Sequence, residues 1–194
     1  ITRAQSIPVA KVTTSSCIEL KEVLASDIDN LGIIRSPKKI IHIDRHGATR
    51  AFNAWLKRGD ILIAIKGSVG KIGFVENELA DMTEIATAKE KWVAGQSFVK
   101  VRIKSSQANK LTPEYLFRYL KSPQVQKYFE SRSLGMAIPM IKMTDIESLP
   151  VRLPTAEILE RETELHNRQF FIRKEIDRLQ QELKSYELDL TKLS

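Results

Sequence analysis

Residues 172–193 read Ile-Arg-Lys-Glu-Ile-Asp-Arg-Leu-Gln-Gln-Glu-Leu-Lys-Ser-Tyr-Glu-Leu-Asp-Leu-Thr-Lys-Leu. Ile172, Ile176, Leu179, Leu183, Tyr186, Leu190 and Leu193 are spaced alternately by four and three. That spacing lines one seam of an α-helix, which is buried only if a second helix lies along it. Extended backwards, the register takes in Leu165 and Ile158, with Glu162 and Gln169 as polar interruptions. Past Pro154 there is no Gly or Pro to stop the helix. With Thr155 as its cap, it would run about 55 Å at about 1.5 Å per residue. A domain of this size cannot cover such a helix along its length, so it reads as a spacer or assembly arm.

The remaining sequence allows one domain, residues 1–154, with the arm at 155–194. Hydrophobic content of 42% is enough for a core, and no run of about eighteen apolar residues exists to span a membrane. The first residues, Ile1-Thr2-Arg3-Ala4-Gln5, have neither the apolar stretch of a signal peptide nor a starting methionine. With the ending inside the heptad pattern, this leads us to expect a piece of a longer polypeptide. The single cysteine, Cys17, fits a reducing, cytoplasmic setting.

Charge is unevenly shared. Residues 1–154 hold 24 Lys and Arg against 15 Asp and Glu, whereas residues 155–194 hold 7 against 9. Between Arg35 and Lys71, nine basic residues face only Asp44 and Asp60. A positive field confined to the globular part suits a polyanion binder, because each neutralised phosphate releases counterions.

The pattern along the chain predicts an α+β domain: a twisted, mainly antiparallel sheet or partial barrel with short flanking helices, followed by one long helix. Ile7-Pro8-Val9 and Cys17 to Leu20 read as short strands, and Ile40 to Ile43 as a strand leading into a turn at Asp44 to Gly47. Phe52 to Leu56 fits a helical turn or a loop. Ile61 to Ile65 is an apolar run of strand length, broken by Gly67-Ser68-Val69-Gly70 and resumed by Lys71 to Val75. A third strand, Gln96 to Ile103, alternates in its second half and would show Lys100, Arg102 and Lys104 on one exposed face. Thr112-Pro113 and Ser122-Pro123 are helix starts. Gly135 to Pro139 reads as a loop, and Thr144 to Glu147 has the spacing of a capping box.

The catalytic motifs are missing. The Gly67 to Gly70 turn lies between strands and matches neither the GxGxxG nor the GxxxxGK[ST] pattern. His42, His46 and His166 with one cysteine do not make a zinc site. No Asn/Asp-Pro-Pro-Tyr methyltransferase motif and no Gly-rich cofactor loop occur. The chain is therefore expected to be non-catalytic, with no cofactor and no metal.

Three stretches together carry a family resemblance: Leu56 to Lys71, Ala94 to Arg102, and Leu111 through Pro154. In that order, and with a heptad helix attached, they resemble a target recognition domain of the specificity subunits of type I restriction-modification systems. One departure is local: the family's exit, Pro-Leu-Pro-Pro followed by Glu-Gln, is here Pro150-Val151-Arg152-Leu153-Pro154-Thr155-Ala156-Glu157. The resemblance implies a domain that reads half of a bipartite duplex target, with antiparallel long helices as the ruler between halves. It also implies DNA methyltransferase subunits as partners, a restriction subunit in the full complex, and homodimerisation through the helix seam from Leu165 to Leu193. A different class of reading is the recognition end of a single-chain restriction-methylation enzyme whose catalytic half lies upstream.

Residue type and clustering then nominate contacts with DNA. Lys57, Arg58, Lys66 and Lys71 suit phosphates. Arg45, His46, Arg50, Ser68 and Gln96 suit base edges. Arg35, Lys38, Lys39, Lys100, Arg102, Arg132 and Lys142 complete the basic set.

Overall fold

In the computed structural model, residues 1–10, 17–81, 89–133 and 139–192 are described, with the backbone alone at 45, 46, 188 and 190–192. The Gly135 to Ile138 part of the expected loop, the Leu190 side chain and Leu193 lie outside the described residues.

The chain divides into two compact units, Ile1–Arg152 and Leu153–Ser194. In chain order the first holds β1 (Thr2–Arg3), β2 (Ile18–Val23), β3 (Lys39–Ile43), α1 (Arg45–Ala54), β4 (Ile61–Ala64), β5 (Ile72–Phe74), β6 (Trp92–Ala94) and β7 (Phe98–Val101). It continues with α2 (Pro113–Leu120), α3 (Pro123–Ser133) and α4 (Met143–Glu147); α5 (Ala156–Lys192) forms the second unit.

The strands make two sheets, β1-β7-β4-β5 and β3-β2-β6, not closed into a barrel. The first is antiparallel throughout, with Ile61 opposite Val101 on one side and Phe74 on the other. In the second, β2 pairs antiparallel with β3 and parallel with β6.

The apolar run Ile61 to Ile65 forms a strand because both of its faces are covered. Ile61, Ile63 and Ile65 join a core with Phe74, Leu116, Phe117, Phe129 and Ile141. Leu62 and Ala64 point the other way, into a core with Leu20, Ile43, Ala51, Trp92 and Phe98. Each fully buried Ile or Leu contributes about 1.5–3 kcal/mol, so this strand is the hinge of both cores. Phe74 meets Phe117 with ring centroids 5.0 Å apart, fixing α2 over β5.

The helix starts at Thr112-Pro113 and Ser122-Pro123 are where the sequence places them. Thr112 Oγ1 accepts the Tyr115 N–H at 3.3 Å. Two tyrosine hydroxyls of α2 donate to the exit segment: Tyr115 to the Arg152 carbonyl at 3.0 Å, and Tyr119 to the Pro150 carbonyl. Thr155 Oγ1 accepts the Ile158 N–H at 3.4 Å, opening α5 as expected.

Several expectations are corrected. Ile7 to Val9 forms no strand, although Ile7 is buried. Asp44 to Gly47 is no turn but the start of α1. Its carboxylate caps the helix by accepting the Gly47 N–H at 3.3 Å. The helix keeps a glycine at 47 because only hydrogen fits there: a Cβ would lie 2.7 Å from the Pro8 carbonyl oxygen. The last sheet strand begins at Phe98, after a turn, with β6 preceding it. Helix α4 starts one residue before the expected capping box, with Asp145, not Glu147, accepting the N–H of its cap residue, Lys142, at 3.2 Å.

Candidate nucleic-acid interface

The turn between β4 and β5 is built by two glycines at φ +78°, Gly67 and Gly70, a conformation open to glycine at little cost. It projects Lys66 and Ser68 into solvent. The segment before α4 runs beside it: Lys66 bridges antiparallel to Met140, and the Ile141 N–H donates to the Ile65 carbonyl at 3.0 Å. Exposed Lys142 is thereby brought to the same edge as Lys66, although 76 residues separate them.

Lys71 behaves differently. It is half-buried, and its ammonium donates to the Ala25 carbonyl at 2.8 Å. It lines a cleft of about 330 Å³ with Asp29, Asn30, Gly32, Gly70, Ile72, Lys121 and Gln126.

Helix α1 gathers a second group. Arg50 is exposed and donates to the Ser6 carbonyl at 3.0 Å. Arg45 and His46 occupy its first turn, with side chains outside the described residues. Its end is held from below by two cations. Lys100 Nζ donates to the Asn53 carbonyl at 2.7 Å and the Trp55 carbonyl at 2.8 Å. Arg102 adds a bond to the Trp55 carbonyl at 3.1 Å and grips the Asp60 carboxylate. Helix C-termini leave unsatisfied carbonyls, and here side chains of a neighbouring strand satisfy them.

This corrects the expected exposed face of three cations. Lys100 is only 6% exposed, because β7 lies between β1 and β4 and both of its faces are covered. Burial, chiefly, and the neighbouring Arg102 charge push its pKa down to about 8, with Asp60 pulling the other way. Hydrogen bonds donated to Asp60 raise the pKa of Arg102, overcoming the effect of its partial burial. Of the three, Lys104 is exposed and Arg102 is tied to Asp60.

The other nominated cations lie at the surface. Lys39 pairs with Glu22, Lys57 with Asp81 at 2.5 Å, Arg58 with Glu78 at 2.9 Å and Arg35 with Asp29 at 3.1 Å. Arg132 lies 3.9 Å from Asp145 and over the Tyr128 ring. Apart from the Lys39 pair, whose Glu22 partner is buried, these are surface pairs worth about 0–1 kcal/mol, so a phosphate can displace them. Lys38 and Gln96 are exposed. Among the described residues no cluster of three or more His, Cys, Asp or Glu is arranged to hold a metal. Thr49, Phe52 and Asn53, outside the nominated set, are exposed on α1; the signal in the sequence that places them there is Asp44 as a helix cap.

In the second unit, Ile172, Ile176, Leu179, Leu183 and Tyr186 are 47–59% exposed along α5, and Leu165 is 39% exposed. Arg178 binds Glu175 and Glu182 on the same helix, at 2.6–3.0 Å. No described helix is long and apolar enough to cross a membrane.

The family described as the type I restriction modification DNA specificity domain matches residues 42–184. The chain belongs to this family. The match runs from β3 through most of α5, so it takes in both units. A type I specificity domain is the non-catalytic, target-recognising component of a restriction-modification system.

Comparison with curated proteins finds no match. Among solved structures, the chain resembles one from work on the complex assembly and conformational transition of the type I R-M system. The TM-score is 0.54 at 18% identity, covering 82% of this chain. At that identity the likeness speaks for the fold alone. The specificity domain spans 38% of the length of that solved chain.

Proposed function

We propose that this specificity domain reads one half of a bipartite duplex DNA target and directs DNA methyltransferase and restriction subunits to it. Residues 1–154 make the recognition domain and residues 155–194 the spacer. The observation that carries the reading is α5: a helix of 37 residues with an exposed apolar seam, on a chain whose family reads DNA. An uncovered seam of Ile, Leu and Tyr at heptad spacing calls for a partner helix. A second copy, or a sister domain of the same parent chain, supplies one and sets a fixed distance between two recognition units.

The basic surface supports the same reading. Lys66, Ser68 and Lys142 share one edge, and Arg50 with Lys38 and Lys39 lies around α1 and β3. Phosphates position such a domain, and the shorter polar side chains specify.

Selection from randomised duplexes by the chain assembled with its methyltransferase subunit tests this. The expected enriched site has two short blocks at a fixed separation. Enrichment of no site, or equal capture of single-stranded RNA, contradicts the reading. Sedimentation of the chain alone is expected to give a dimer that Leu179→Lys with Leu183→Lys converts to monomer.

A further inference from the structure

We propose that α1 is the element of this domain that enters the major groove, with Phe52 and Asn53 as specificity-determining residues. The proposal rests on the half-target reading and names the part of the surface that performs it.

The helix has two unlike faces. Gly47, Ala51 and Ala54 are buried, and their small size seats the helix tightly against the sheet. Thr49, Phe52 and Asn53 are spaced by three and one, so they share the opposite face, and all three are exposed. Phe52 is 67% exposed. An isolated exposed aromatic is unremarkable. Between a Thr and an Asn on one helix face it makes a set matched to base edges. Asn bonds adenine in bidentate fashion, and Phe and the Thr methyl group pack on a thymine methyl.

Charge and shape agree with a duplex as occupant. The segment Arg35 to Lys71 that contains α1 has nine basic residues against two acidic ones. Arg50 flanks the reading face with one N–H spent on Ser6, leaving further donors for a phosphate. A helix about 10–12 Å across fits a groove about 12 Å wide.

The helix is also held rigid at both ends. Asp44 caps its start. Lys100 and Arg102 fasten the carbonyls at its end to β7. A recognition element fixed in this way keeps its contacts in register without ordering on binding.

The test is the modified motif of hosts carrying the intact system with Phe52→Ala or Asn53→Ala. Both side chains are exposed, so neither change removes core packing. The expected result is relaxation at one or two base positions of one half-target, by about tenfold in base preference. The other half and the spacing stay unchanged.

An unaltered motif in both variants overturns the proposal, whatever the level of modification. Loss of modification because the methyltransferase subunit no longer co-purifies also overturns it, since Phe52 then docks a protein. If modification is lost while the complex stays intact, selection from randomised duplexes reads the preference directly. There, a shifted site supports the proposal and the wild-type site overturns it. A wild-type system that modifies no defined motif contradicts the half-target reading itself. A wild-type motif unmoved by either variant leaves that reading standing and removes only α1.

Discussion

Arg102 clasps Asp60 through two hydrogen bonds of 2.6 Å, Nε donating to Oδ1 and Nη2 to Oδ2. The Asp60 side chain is 1% exposed and also accepts the Lys57 N–H at 2.8 Å. The pair ties the start of β4 to the end of β7 and, through the Trp55 carbonyl, to the chain leaving α1. Removing one partner of a buried pair strands the other charge, at about 3–5 kcal/mol when both are fully buried. Arg102 is half-exposed, so water recovers part of that. We expect Arg102→Met to lower the unfolding free energy by about 2 kcal/mol in urea titration. A change within about 0.5 kcal/mol would show that the clasp is dispensable.

Lys100 makes stability depend on pH. Its pKa is about 8 in the fold against 10.5 for the ordinary side chain. Between those values the unfolded chain binds the proton more readily than the fold does. Stability from this group therefore rises as pH climbs from about 8 towards 10.5, by up to about 3 kcal/mol. Below pH 8 the fold carries the full cost of the buried ammonium, offset in part by its two carbonyl bonds. Lys100→Met removes the dependence. Titrations common to both proteins cancel in the wild-type minus variant difference, which should increase across this window. A flat difference would mean the ammonium is not desolvated.

Gly47→Ala sets helix propensity against packing. Alanine is the better helix former by about 1 kcal/mol. Its Cβ would sit 2.7 Å from the Pro8 carbonyl oxygen and 3.0 Å from Ile43 Cβ. Ile43 is core and the Pro8 contact is to backbone, not to a flexible side chain, so the clash wins. The melting temperature should fall, with a net loss of about 1–3 kcal/mol. A rise would show that Pro8 yields freely.

Lys66 and Lys142 share the exposed edge, whereas Lys100 is buried. If the edge meets phosphates, Lys66→Ala and Lys142→Ala each reduce the slope of log affinity against log salt by about one. Lys100→Met leaves the slope unchanged. Affinity for a duplex carrying the selected site, measured across a salt series, separates these outcomes.

Local signals found what local chemistry decides. The run Ile61 to Ile65 between glycines, the Thr112-Pro113 and Thr155 caps and the heptad of α5 were all legible. The run is apolar throughout because both of its faces are covered, and a cap acts within its own turn. Helix α1 was not legible. It lacks a broad apolar stripe, its buried face is Gly47, Ala51 and Ala54, and Gly47 signals a breaker until Pro8 is seen above it. Lys100 misled for a related reason. Alternation shows that it faces away from Val99 and Val101, but not that α1 covers that side. The pairing of Lys66 with Met140 depends on a contact between segments remote in sequence. Of the candidate interface, residue types were legible and their grouping was not.

Whether this domain reads half of a split target is decided by sequencing the methylated bases in a host carrying the complete system. The expected motif is bipartite, two short specific blocks around a spacer of constant length, one block being lost or replaced when this domain is exchanged. A contiguous motif, or a motif untouched by that exchange, would contradict it.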